Sequence, residues 1–251
     1  MSATPGLASS ASSDSADDEI ESILPFSGRA PKSKQKNTKP PPAPVIWING
    51  FPGTGKLEIA IELRHLIGNH RAIYIQNHRR IDNVALPRRH SQAWKEGASN
   101  RKETLQSYVL APHMRHKTII FTDFQTADSI ERTDNPIEYL EAAHKANRPF
   151  LPVTVMCSEA ENIRRITDPV RCWPESSVQR KVLKNAFVLR CYRTLKLFDF
   201  DAVGYFYEVK RDGFVVDVTE LDAVVVAGMI QGEVKRSRKG KEAMREVGYR
   251  W

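Results

Sequence analysis

The period at which apolar residues recur changes several times along this chain, and each change marks a predicted element. Residues 44–49 form an unbroken apolar run, Pro44-Val45-Ile46-Trp47-Ile48, that closes on Asn49 just before Gly50. No polar position interrupts it, as expected of a parallel strand covered on both faces. Residues 57–67 then place Leu57, Ala60, Leu63 and Ile67 at steps of three and four, which predicts a helix. The same reading gives strands at 72–76, 117–122, 150–156 and 213–218. Helices are predicted at 91–113 (mainly), 136–146, 159–166, 178–195 and 220–231, with an irregular stretch at 168–176. Residues 198–210 fit neither period and are expected to form a small hairpin or an excursion over the site. Five strands alternating with helices predict an α/β protein, a three-layer α/β/α sandwich around a five-stranded parallel sheet with right-handed crossovers. No internal repeat is visible.

The flanks have a different texture. Residues 1–44 open on a Ser/Ala/Asp block and end in Pro40-Pro41-Pro42-Ala43-Pro44. They hold too little apolar surface to offset the entropy of ordering, so this segment is expected to be disordered. One domain is expected over residues 45–232, followed by a basic segment at 233–251 that frays from the last helix beyond Lys235.

The net charge of the 251-residue chain is +8, but it is unevenly spread. Residues 1–44 carry five acidic and five basic side chains, whereas 235–251 carry seven basic and two acidic. The folded part is left near neutral, which argues against nucleic-acid binding except through the basic end. The cluster Lys235-Arg236-Ser237-Arg238-Lys239-Gly240-Lys241 reads as a nuclear-localisation or nucleic-acid patch, or as a solubilising end. No apolar run is long enough to cross a bilayer, and the first residues lack a secretory pattern. Three scattered cysteines, Cys157, Cys172 and Cys191, form neither a disulfide framework nor a metal knuckle. A cytoplasmic protein with reduced thiols is the expectation, with 235–241 leaving a nuclear location open.

The candidate chemistry lies between the first strand and the first helix. Gly50-Phe51-Pro52-Gly53-Thr54-Gly55-Lys56 fits the phosphate-binding pattern G-x-x-x-x-G-K. The glycines let the backbone close around an anion with its N–H groups inward, and the lysine reaches the outer phosphates of a nucleoside triphosphate. Gly50, Pro52, Gly53, Thr54, Gly55, Lys56 and Leu57 are therefore the expected cofactor-binding residues. Leu57 stands where Ser or Thr usually gives a hydroxyl to Mg²⁺, and Thr54 comes too early in the loop to replace it. Glu58 reads as an acid favoured in a first helical turn.

The order of further motifs resembles the small P-loop kinases and kinase-like proteins. It is nearest a largely fungal group related to chloramphenicol phosphotransferase and to the gluconate- and shikimate-kinase folds. The resemblance spans about residues 45–232. It rests on Ile48-Asn49-Gly50-Phe51-Pro52-Gly53-Thr54-Gly55-Lys56-Leu57, then Asn77-His78-Arg79-Arg80-Ile81-Asp82, then Phe121-Thr122-Asp123. Arg148-Pro149-Phe150-Leu151-Pro152-Val153, Glu161-Asn162-Ile163-Arg164-Arg165 and Asp217-Val218-Thr219 follow in order. Two positions depart from that pattern: Glu58 replaces a Thr, and Gln76 replaces an Asp.

The resemblance implies ATP as the nucleotide, with Mg²⁺ in doubt because of Leu57, and an unidentified small molecule as acceptor. Asp82 is the implied general base and Lys56 the phosphate-binding catalytic lysine. Arg164, Arg165 and Arg171 flank or form a lid that stabilises charge during transfer, and Asp123 is the implied metal-anchoring carboxylate. Residues 217–219 lie where the base is held. Two functions stay open: phosphoryl transfer from ATP to a small-molecule hydroxyl, or a degenerate nucleotide-binding module with little turnover.

Overall fold

A computed structural model describes residues 40–77, 91–127, 136–168, 183–198, 200 and 214–246, the side chains of 91–94 and 237–246 excepted. The expectations for residues 1–39, for His78, Asp82 and their neighbours, for Arg171 and Cys172, and for most of 198–210 lie outside the described residues.

The five predicted strands are β1 (Val45–Gly50), β2 (Ala72–Gln76), β3 (Thr118–Asp123), β4 (Phe150–Met156) and β5 (Phe214–Asp217). All pair in parallel, in the order β2-β3-β1-β4-β5. β1 is central, which explains its uninterrupted apolar run. Val45 and Trp47 enter one core layer with Phe121, Tyr139 and Phe200, while Ile46 and Ile48 enter the other with Leu63, Val153 and Ile230. Each side chain buried in this way is worth roughly 1.5–3 kcal/mol relative to exposure. The carboxyl ends of β3, β1 and β4 lie side by side, the place where open parallel sheets bind ligands.

The helices are α1 (Lys56–Ile67), α2 (Ser91–Thr104), α3 (Ile137–Lys145), α4 (Glu159–Thr167), α5 (Ala186–Arg193) and α6 (Ala223–Glu246). The element expected over 91–113 does not stay α-helical. It widens into a π-helical turn at Leu105–Leu110 and restarts as a 3₁₀ turn at Pro112–Met114. Proline forces that break, because the residue before it, Ala111, adopts the extended backbone such a position favours (ψ 123°). The helix expected over 178–195 is, among the described residues, confined to α5. Asn185 is extended and its side chain caps the N–H of Val188 at 3.1 Å. The last helix starts three residues later than expected and continues past Lys235 to Glu246. Strong helix formers and pairs one turn apart carry it there, Arg236 with Glu233 at 2.7 Å and Lys235 with Gln231 at 3.0 Å.

At the amino ends of the strands sits Arg148, only 3% exposed. Its guanidinium donates to the carbonyls of Ala43 (2.9 Å), Tyr108 (3.1 Å), Val109 (3.3 Å), Pro44 (3.5 Å) and Lys117. Burial lowers its pKa to about 10, so it remains charged at neutral pH. It bolts the entries of β1 and β3 to the π-helical turn. Among the described residues, no helix is long and apolar enough to cross a membrane.

Candidate functional site

The glycine loop occupies the position its sequence requires, leaving the end of β1 and entering α1. Gly53 and Gly55 have φ of 88° and 82°, a left-handed backbone that side chains rarely tolerate. At Gly53 the restriction is double, since a Cβ would strike the Ile166 methyl and stand 2.7 Å from the Asn162 amide. Among the described residues, α1 has no side-chain cap. The first-turn N–H groups of a helix have no acceptor within it, and together with the helix dipole they suit an anion. The Lys56 ammonium folds back over the loop and donates to the Gly50 and Phe51 carbonyls, both at 2.7 Å. Thr54 is fully buried, and its hydroxyl donates to the Phe51 carbonyl at 2.9 Å.

Side chains from α4 and α5 hold the loop from behind. Asn162, fully buried on α4, donates to the Pro52 carbonyl at 2.8 Å and accepts from Arg193 at 3.1 Å. Arg193 also donates to the Cys157 carbonyl at 3.1 Å and lies over the Phe51 ring, 5.2 Å from its centre. α4 itself begins with Ser158, whose hydroxyl caps the Glu161 N–H at 3.3 Å.

Glu161 binds two arginines. Arg164 approaches it at 2.6 Å from the solvent face, and Arg165 at 2.6 Å from the inner side. Hydrogen bonding from Arg164, then from Arg165, holds the Glu161 carboxyl down to about 2. The same contact raises the pKa of Arg164. Arg165 reaches further, donating to the carbonyls of Val218 (2.7 Å) and Thr219 (3.3 Å) beyond β5. A cleft of about 320 Å³ opens there, lined by Gly53, Gly55, Glu58, Arg165, Val218 and Leu221, among others. The structure thus brings Arg165, and not Arg164, to the loop. Arg171 and Asp82 lie outside the described residues.

Asp123 ends β3 and pairs in register with Asn49 of β1, one residue before the loop. It is 3% exposed. Its Oδ1 accepts from Asn77 Nδ2 (2.5 Å), the Phe124 N–H (2.8 Å) and Gln125 Nε2 (3.1 Å), and its Oδ2 from the Tyr139 hydroxyl (3.3 Å). Gln125 is itself anchored, its N–H donating to Asn49 at 2.9 Å. Asn77 Oδ1, buried in this cluster, has no hydrogen-bond partner among the described residues.

These residues do not fit direct ligation of Mg²⁺. Leu57 offers no oxygen, the Thr54 hydroxyl is turned into the loop, and the Asp123 carboxylate accepts from four protein donors, three on Oδ1 and one on Oδ2. Among the described residues no three His, Cys, Asp or Glu side chains converge. Cys157, buried at the end of β4, has its thiol pKa raised by burial and is suited to packing.

Sequence reasoning missed Asn162 and Arg193 as loop supports. One signal was available for the first. Asn162 lies one helical turn before Ile166, so a polar residue stands on the buried stripe of α4. The Arg193 contact, 31 residues away in sequence, had none.

Among solved structures the chain is similar to APE1195 at 17% identity, with a TM-score of 0.50 over 78% of this chain and 96% of that one. It is also similar to the APS kinase CysC of Mycobacterium tuberculosis, solved with AMPPNP and APS, at 11% identity and a TM-score of 0.48, covering 78% and 99%. A gluconokinase from Sinorhizobium meliloti 1021 matches at 12% identity and a TM-score of 0.47, covering 81% and 97%. No family model and no curated protein matches the chain. With a glycine loop joining β1 to α1 at the carboxyl end of the central strand of a five-stranded parallel sheet, the architecture is an α/β fold similar to that of APE1195.

Proposed function

We propose that this chain binds a nucleoside triphosphate, ATP in the first instance, as a kinase-like protein. The phosphates would occupy the loop at 50–57, and the base would enter the cleft beside Val218 and Leu221. One observation carries the reading: the Lys56 ammonium lies against two loop carbonyls at the uncapped start of α1. A phosphate oxygen is a stronger partner for an ammonium than a carbonyl is, so an incoming triphosphate would draw Lys56 away from both. Calorimetry with ATP on the wild type and on Lys56→Ala tests this. Binding weakened about tenfold or more in the variant is the expected result. Equal affinity would refute it.

A second reading adds catalysis, and the polar cluster of Asn77 and Asp123 at the ends of β2 and β3 favours it. An acceptor hydroxyl would enter on that side and give its proton to Asp82. Its oxygen would attack the γ-phosphorus, and the nucleoside diphosphate would depart, with Lys56 and Arg165 stabilising the transferred charge. Arg164 and Arg171, expected from sequence to share that task, would close from the segment around 164–171. A phosphorylated product from a panel of small hydroxyl compounds, lost in Asp82→Asn, would support transfer. ATP binding with no product across the panel would favour the binding module.

A further inference from the structure

The geometry points to a site that takes its triphosphate without a divalent cation held by the described residues. Lys56 and Arg165 supply the positive charge there, and Asp123 serves as a structural acceptor. This role for the two cations rests on the nucleotide reading and deepens it.

Among the described residues, the side-chain oxygens at the two places where this kind of loop holds Mg²⁺, within the loop and at the end of β3, are already engaged. The residue after Lys56 is Leu57, a buried hydrocarbon side chain. The only hydroxyl within the loop, that of Thr54, donates to the Phe51 carbonyl from a fully buried position. Turning it toward a ligand would give up a bond that holds the turn of the loop. Asp123 is the strand-end carboxylate, and donors from Asn77, Gln125, Tyr139 and the Phe124 backbone surround it. Mg²⁺ insists on octahedral oxygen ligands and keeps several waters, so a carboxylate serves it either directly or by accepting from those waters. Asp123 is poorly placed for both tasks, because three protein donors crowd its Oδ1 and the Tyr139 hydroxyl meets its Oδ2. Recruiting it would leave buried donors on Asn77 and Gln125 without an acceptor.

Positive charge is nonetheless present. Lys56 crosses the loop, and Arg165 Nη1 lies 3.8 Å from where a Cβ on Gly55 would stand. Arg165 is oriented from both sides, by Glu161 at 2.6 Å and by the Val218 carbonyl at 2.7 Å. Two cations, one of them held in place, and a helix N-terminus favour the more highly charged, metal-free triphosphate over its Mg²⁺ complex.

Calorimetry of ATP binding to the full chain in EDTA and in excess Mg²⁺, at matched ionic strength, decides the matter. The expected Kd in Mg²⁺ is equal to that in EDTA or weaker. A Kd about tenfold tighter in Mg²⁺ would overturn the inference while leaving the nucleotide reading intact. Absence of binding in both buffers would overturn the nucleotide reading and this inference with it. Asp123→Asn separates a strut from an anchor. A lowered Tm with an unchanged response to Mg²⁺ supports the strut, whereas a Mg²⁺ response present in the wild type and lost in the variant identifies an anchor. If that variant does not fold, the wild-type comparison alone still decides.

Discussion

Arg148 and Lys56 are two cations bound to backbone carbonyls at opposite ends of the same sheet. Arg148, at the amino ends, is buried and gives its donors to carbonyls from several separate stretches of chain. Lys56, at the carboxyl ends, is part-buried and bonds two adjacent carbonyls of its own loop. The first arrangement is permanent, since removing the guanidinium would leave each carbonyl buried without that donor. The second is exchangeable, because the ammonium lies at the start of α1, beside a cleft, and its carbonyls belong to the glycine turn. Burial and the sequence spread of the partners, more than the type of bond, separate a structural cation from one proposed to bind a ligand.

The largest expected effect tests the permanent side. Arg148→Met should lower the unfolding free energy by about 3–5 kcal/mol, measured by urea denaturation, because several buried carbonyls lose their donor. A loss below about 1 kcal/mol would show that water replaces the guanidinium there and would break the contrast. Next comes Gly53→Ala, where a left-handed backbone and contact with Ile166 and Asn162 combine. A cost of about 2–4 kcal/mol is expected in the same assay, with ATP binding abolished. Lys56→Ala should behave in the opposite sense to Arg148→Met. Stability should move by less than about 1 kcal/mol while ATP affinity falls tenfold or more. Should its Tm drop as far as that of Arg148→Met, the lysine is a bolt after all.

The smallest effect concerns Glu161, whose pKa is held near 2 against an ordinary 4.5. A depressed carboxyl contributes stability that is complete above its unfolded pKa and is lost as pH falls through the folded value. Glu161→Gln should therefore lower Tm at pH 7, and the gap to the wild type should close as pH falls from about 4.5 to about 2. Unaltered acid sensitivity would mean that the arginine pair contributes nothing to folding.

Much of this was legible in the sequence, for physical reasons. The strands are short apolar runs in a sheet covered on both faces, and the loop is a local object whose glycines and lysine are contiguous. Where local periodicity meets proline, as at Pro112, the boundary shifted. The two arginines of α4 show a finer limit. At about 100° per residue, Arg165 stands a quarter-turn or so from buried Ile166 and Arg164 nearly opposite it, so only one can turn inward. Fixing that phase required knowing that Asn162 is buried, and Asn162 is held there in part by Arg193 on another helix. The crowding of donors around Asp123 was equally hidden. Its four donors come from the end of β2, from the turn after β3 and from α3, and no spacing rule relates them.

Helix α6 has a consequence of scale. Its first residue borders the cleft beside the glycine loop, and its second half carries the basic cluster. Its 24 residues make a rod about 36 Å long. The Debye length at physiological ionic strength is about 8 Å, so charge at one end is electrostatically invisible from the other. The charge of a ligand in the cleft would therefore go unfelt at the basic cluster.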